Sequence, residues 1–174
     1  MSADPLAALE AHRQIHAAMA RYARGVDRCD RDMILSCYHP DAHDDHGPFK
    51  GTPAEFADWA IPTHLALEWT SHYIFNIHIE LHGNVALTEA SMIGVLRYRE
   101  DGELFDLTGA GRYLDRFEDR GQGWLIASRK IVADWSRIDR VVARAEGGLL
   151  EGVALGRRDR DDPSYAHFAS LGPG

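Results

Sequence analysis

The sequence predicts an α+β fold: a cone-shaped, curved antiparallel sheet, an α+β barrel, with N-terminal helices packed on its concave face. Three observations carry this. Apolar positions recur at helical spacing before Thr70, the pattern changes to strand-like segments from Thr70 onward, and short turn sequences separate those segments.

Asp4-Pro5 opens the first helix, with a capping carboxylate and a proline where a helix tolerates one. Ile15, Met19, Tyr22 and Val26 then form one apolar stripe, and Gly25 weakens the helix end. A second short helix runs from near Asp30, carrying Met33, Ile34, Cys37 and Tyr38 inward, until His39-Pro40 stops it. Thr52-Pro53-Ala54-Glu55 has the spacing of a capping box and starts a third helix, with Phe56, Trp59 and Ala60 facing inward and Pro62 kinking or shortening it before His64. Four strands follow, roughly 70 to 82, 85 to 99, 104 to 118 and 123 to 136. The breaks His82-Gly83-Asn84, Asp101-Gly102 and Gly121-Gln122-Gly123 suit links between antiparallel neighbours. A short strand near Ala42 to His46 adds an edge. Residues 1–137 thus form the barrel domain, and 138–174 a C-terminal extension or arm, in which Tyr165, His167 and Phe168 are candidates to cover a pocket or a neighbouring subunit.

At 174 residues the chain suits one domain, able to bury roughly 70% of its extended-chain surface. Its 45% apolar and 26% charged residues match a soluble globular protein, and no apolar run reaches the ~20 residues of a membrane span. The opening MSADPLAALEAHRQ lacks the basic segment and apolar core of a secretory signal, so the expected compartment is the cytoplasm. A net charge of -8 argues against nucleic acid, which needs clustered Lys and Arg. A small organic substrate suits it better. Cys29 and Cys37 lie ~12 Å apart if helical, too far for a disulfide. They also lack the paired spacing of a zinc site.

The helix-helix-helix-meander order, with YARGVDRCD, YHPDAHDDHG, SHYIFN, GRYLDRFE and GWLIASRKIVADW in sequence, resembles the SnoaL-like branch of the nuclear transport factor 2-like superfamily over roughly residues 6 to 136. Scytalone dehydratase, hexachlorocyclohexane dehydrochlorinase and bile-acid dehydratase are similar, and all run eliminations without metal or organic cofactor. The resemblance implies Asp27 and His72 as the catalytic pair. It implies Tyr22, five residues before Asp27, as in the bile-acid enzyme, and Arg129, five after Trp124, as in the dehydrochlorinase. It also implies a homo-oligomer, dimer or trimer. The second histidine of scytalone dehydratase has no counterpart in GVLRYRE, which speaks against a two-histidine mechanism. Fold alone licenses no activity.

Loss of HX across a C–C bond needs a base and a stabiliser for the charge that develops. A neutral imidazole can take the proton, and a carboxylate on its other nitrogen fixes the tautomer and stabilises the imidazolium. His72 and Asp27 fit these roles, against the plain readings of a packed strand-end histidine and a helix cap. Tyr22 either donates to a substrate oxygen or fills the core, and Arg129 either holds an anionic group or lies solvated beside Lys130. Asp44 and His46 share a strand face and are candidates to line the pocket, favouring an oxygenated substrate. His43 and Asp45 point away, leaving too few convergent ligands for a metal. His64 is a candidate for the pocket mouth. The expected activity is a cofactor-free dehydratase-type lyase acting on a cyclic or aromatic molecule. The alternatives are an isomerase, cyclase or carbon-carbon lyase with the same dyad, and a non-catalytic binding or assembly domain.

Overall fold

The computed structural model describes residues 4–142 and 151–172. Helix α1 (Pro5–Asp27) starts where Asp4 accepts from the Leu6 N–H at 3.0 Å. Its stripe of Ile15, Met19, Tyr22 and Val26 is buried. The helix ends two residues after Gly25. A Cβ there would lie 3.0 Å from Ile34, so the missing side chain lets α1 and α2 (Arg31–Leu35) cross closely.

Helix α2 is shorter than expected, because the chain from Tyr38 is already in strand β1 (Tyr38–Asp45). Pro40 therefore sits inside a strand, in the irregular stretch between Tyr38 and His43 where ladder pairing lapses and a missing N–H costs little. Nor is β1 an edge. Strand β2 (Lys50–Gly51) covers one side, and the other runs parallel to β6 (Trp124–Arg140), with Asp44 opposite Arg129. The sheet is thus mixed rather than wholly antiparallel, in the order β2-β1-β6-β5-β4-β3, and it curves without closing. The parallel pair arises because the chain between β1 and β6 returns through α3 (Pro53–Leu65) and three strands to enter the sheet from the same end.

The capping box of α3 is complete, with the Glu55 N–H donating to Thr52 and the Thr52 N–H donating to Glu55 at 2.8 Å. Pro62 does not end this helix; it lies on the exposed side, as does Asp58 one turn earlier. Strands β3 (Trp69–His82), β4 (Val85–Glu100), β5 (Glu103–Asp119) and β6 form the meander. Asp101 and Gly102, at φ 49° and 83°, make the turn between β4 and β5 with the positive angles a two-residue hairpin requires. On β5, Gly111, Tyr113, Asp115 and Phe117 face inward while Leu114 and Arg116 face out.

Both cysteines are free thiols. Among the described residues no helix is long and apolar enough to cross a membrane. Part of the Gly-rich arm, residues 143–150, lies outside the described residues. Beyond it the chain folds back against the helices through α4 (Pro163–Ala169). Tyr165 donates to Asp30 at 2.8 Å, and Arg24 packs its guanidinium 5.0 and 4.9 Å from the ring centroids of Tyr165 and Phe168. Arg158 donates to the carbonyls of His64 and Leu67 at the end of α3. Tyr165 and Phe168, expected over a pocket or a neighbouring subunit, thus pack against α1 and the α1–α2 corner, while the His167 ring meets that of Phe168 edge-on.

Candidate active site

Helices and sheet enclose a cavity of about 360 Å³. Its floor follows from the register. His72 on β3 pairs with Gly94 on β4, Gly94 with Gly109 on β5, and Gly109 with Ser136 on β6, and all four line the cavity. Two adjacent glycines remove the side chains that would otherwise fill the space. Phe56, Trp59, Tyr113 and Trp135 supply aromatic walls. The two tryptophans, 37% and 52% exposed, form the rim. Sequence reading missed Gly94, Gly109 and Gly111, though glycine inside a strand is the available signal for such a space.

Asp27 is the last residue of α1, and its carboxylate grips His72 twice. One oxygen accepts from the His72 backbone N–H at 2.9 Å, and the other meets Nδ1 at 2.7 Å. A carboxylate oxygen at Nδ1 makes that nitrogen the proton-bearing one and leaves Nε2 as the acceptor in the neutral ring. Nε2 has no hydrogen-bond partner among the described residues, and it lies 3.6 Å from where a Cβ on Gly94 would stand. His64, near the end of α3, meets the His72 ring edge-on with centroids 5.7 Å apart. Burial, then the adjacent His72, pushes the His64 pKa down to about 4, so it lines the cavity as a neutral ring.

A second group gathers on the other flank. The Tyr22 hydroxyl lies 3.0 Å from Nε2 of His46, whose Nδ1 is bonded to Asp44. The other oxygen of Asp44 accepts from the Tyr38 hydroxyl at 2.6 Å. His46 stacks on Phe56 at 4.4 Å and reaches the cavity, as does Tyr22. Asp44 is fully buried behind His46 and does not line the cavity, because its strand position turns it toward Tyr38. Burial, reinforced by neighbouring Tyr113, holds the Tyr22 phenol well above its ordinary value. Burial likewise pushes Tyr113 up to about 12.

Arg129 is neither at the surface nor in the cavity. It is 1% exposed and paired to Asp115 through two bonds of 2.8 and 2.7 Å, with its guanidinium 4.1 Å from the ring centroids of both Tyr22 and Tyr113. Burial opposes its charge, but the Asp115 carboxylate and neighbouring Tyr38 outweigh it and keep the pKa well above the ordinary arginine value. It cannot touch a ligand in the cavity, since Tyr22 and Tyr113 lie between them. The inward orientation follows from its pairing with Asp115, itself on the buried face of β5.

The profile of the SnoaL-like domain matches residues 7–130. The chain belongs to the SnoaL-like family. Among solved structures, this SnoaL-like chain is similar to a hexachlorocyclohexane dehydrochlorinase, LinA-type3, from Novosphingobium barchaimii (TM-score 0.70, 15% identity, 83% of this chain and 99% of that one covered). It is also similar to a putative scytalone dehydratase from Novosphingobium aromaticivorans (0.64, 20%, 78% and 95%). A third likeness is to a nuclear transport factor 2-like superfamily protein from Salmonella enterica (0.62, 16%, 78% and 96%). At these identities the shared property is the nuclear transport factor 2-like fold. No curated protein sequence matches the chain.

Proposed function

We propose that this SnoaL-like protein is a cofactor-independent lyase that eliminates water from a cyclic or aromatic small molecule, with His72 as base and Asp27 as its orienting partner. The observation that carries the reading is the double grip of Asp27 on His72, which leaves Nε2 open to the cavity. Nε2 accepts a carbon-bound proton, Nδ1–H stays on the carboxylate, and the imidazolium that forms is paired at once. The neutral His64 beside it places no second cation next to that imidazolium. The aromatic walls support a flat ring as substrate, and the hydroxyl and imidazole groups of Tyr22 and His46 support one that carries oxygen.

The test is a panel of cyclic β-hydroxy ketones headed by 3-hydroxy-1-tetralone, whose loss of water gives fluorescent 1-naphthol, together with exchange of the α-hydrogens of 1-tetralone in D2O. Wild type turns over a member of the panel. His72→Ala lowers both reactions at least about 1,000-fold and Asp27→Asn about 100-fold or more, with circular dichroism unchanged. Near-normal turnover by His72→Ala would sink the proposal.

A further inference from the structure

We propose that His46, backed by Asp44, is the proton source of the site and delivers its proton through the Tyr22 hydroxyl to the departing oxygen of the substrate. The proposal deepens the lyase reading and rests on it. Its foundation is the continuous chain from Tyr38 to Asp44, to His46, to Tyr22, ending at the cavity wall. This is a second carboxylate-imidazole pair in one small site. Strand β1, which leads to His46, and strand β3, which carries His72, are separated in the sheet by β6, β5 and β4, yet both histidines line the same cavity. A base and an acid therefore reach the space between them from different flanks.

The direction of proton flow follows from the bonding. Asp44 accepts from Tyr38 and from Nδ1–H of His46, so in the neutral ring Nε2 accepts from Tyr22. With His46 protonated, Nε2–H donates to the Tyr22 oxygen and the Tyr22 proton is free to point at a ligand. Tyr22 alone is a poor acid, because burial keeps its phenol protonated. It can give up its proton only as another arrives, and His46 stands at 3.0 Å to supply it. Arg129, 4.1 Å from the Tyr22 ring centroid, places positive charge against the ring while the oxygen is between protons.

The step balances. His72 Nε2 takes the proton from carbon, and the C–H electron pair becomes the new C=C bond. The C–O bond breaks with its pair on oxygen, which receives the Tyr22 proton and leaves as water. The His46 Nε2 proton passes to Tyr22. His72 ends protonated and His46 neutral, and exchange with solvent restores both.

The charged and titratable groups packed around His46 are Asp44 from β1, Tyr22 from α1, Tyr113 and Asp115 from β5, and Arg129 from β6, while α3 presents apolar Phe56. Two carboxylates against one guanidinium leave room for a protonated imidazole.

The experiment measures dehydration of 3-hydroxy-1-tetralone and its cyclic relatives against α-hydrogen exchange of 1-tetralone, which has no leaving group to protonate. Expected are falls of about 100-fold or more in dehydration kcat for Tyr22→Phe and His46→Gln, exceeding any accompanying fall in exchange by at least about tenfold. The alkaline limb of the kcat profile should vanish in His46→Gln. Equal falls in both reactions, or dehydration unchanged, would overturn the proposal. A second readout is independent of turnover. In protein carrying 15N-histidine, the His46 signals should pass from imidazolium to the Nδ1–H tautomer across the pH profile of the reaction, and Tyr22→Phe should displace that transition. A single protonation state throughout overturns the relay. If wild type catalyses neither reaction while the His46 transition is present, the lyase reading fails and the relay stands as a proton-exchanging pair.

Discussion

His64 illustrates how one buried ring couples the site to stability. Its folded pKa of about 4 lies below the ordinary histidine value of 6.5, so the unfolded chain binds the proton first as pH falls. A depressed group of this kind adds stability that is present above pH 6.5 and is lost as pH drops toward 4. Between about pH 7 and about pH 5 the loss amounts to about 2 kcal/mol at most, as the ring is part exposed. The difference in urea midpoint between those two pH values should therefore be larger in wild type than in His64→Leu; equal differences would contradict the assignment. At this scale the contact between Asp27 and His72 was legible from their order and spacing. Arg129 was not, because Arg129-Lys130 resembles a solvated pair until Asp115 and two tyrosine rings close around it.

At the scale of strands, two glycines on the cavity floor behave oppositely. A Cβ on Gly94 meets the His72 ring at 3.6 Å, an ordinary contact, whereas a Cβ on Gly111 meets the Val132 carbonyl oxygen at 2.1 Å. Gly94→Ala should keep its melting temperature within a degree or two and lose turnover, since the methyl occupies the approach to Nε2. Gly111→Ala should lose about 1–3 kcal/mol, because backbone cannot yield as a flexible side chain does. Thermal melts of the two variants, beside the tetralone assay, check both. The four long strands and the capping box of α3 were legible because alternation, turn residues and caps act over a few positions. The fate of β1 was not. Whether a short strand lies at an edge or between two others depends on β2 and β6, which reach it from elsewhere in the chain.

The tail works on the whole molecule. Arg158 binds two carbonyls at the end of α3, the helix that carries His64, while Tyr165 and Arg160 bind Asp30 at the α1–α2 corner three residues beyond Asp27. A chain ending at Val142 keeps the entire sheet, so it should fold, with a melting temperature lower by about 5 °C for the loss of about 2 kcal/mol. It should also show a raised KM, since α3 walls the cavity. An unchanged melting temperature would mean that the tail does not brace the helices.

Unaided, the sequence determined the α+β class, the helix starts, the hairpins and the pairing of Asp27 with His72, because these rest on short-range periodicity or on motifs kept in family order. Only the tertiary structure decided the mixed sheet order, the burial of Arg129 and the Tyr22–His46–Asp44 chain of hydrogen bonds. Tyr22 and His46 are 24 residues apart and Arg129 bonds Met19 across 110. Such contacts depend on how the whole sheet curves over α1, which no local window of residues encodes.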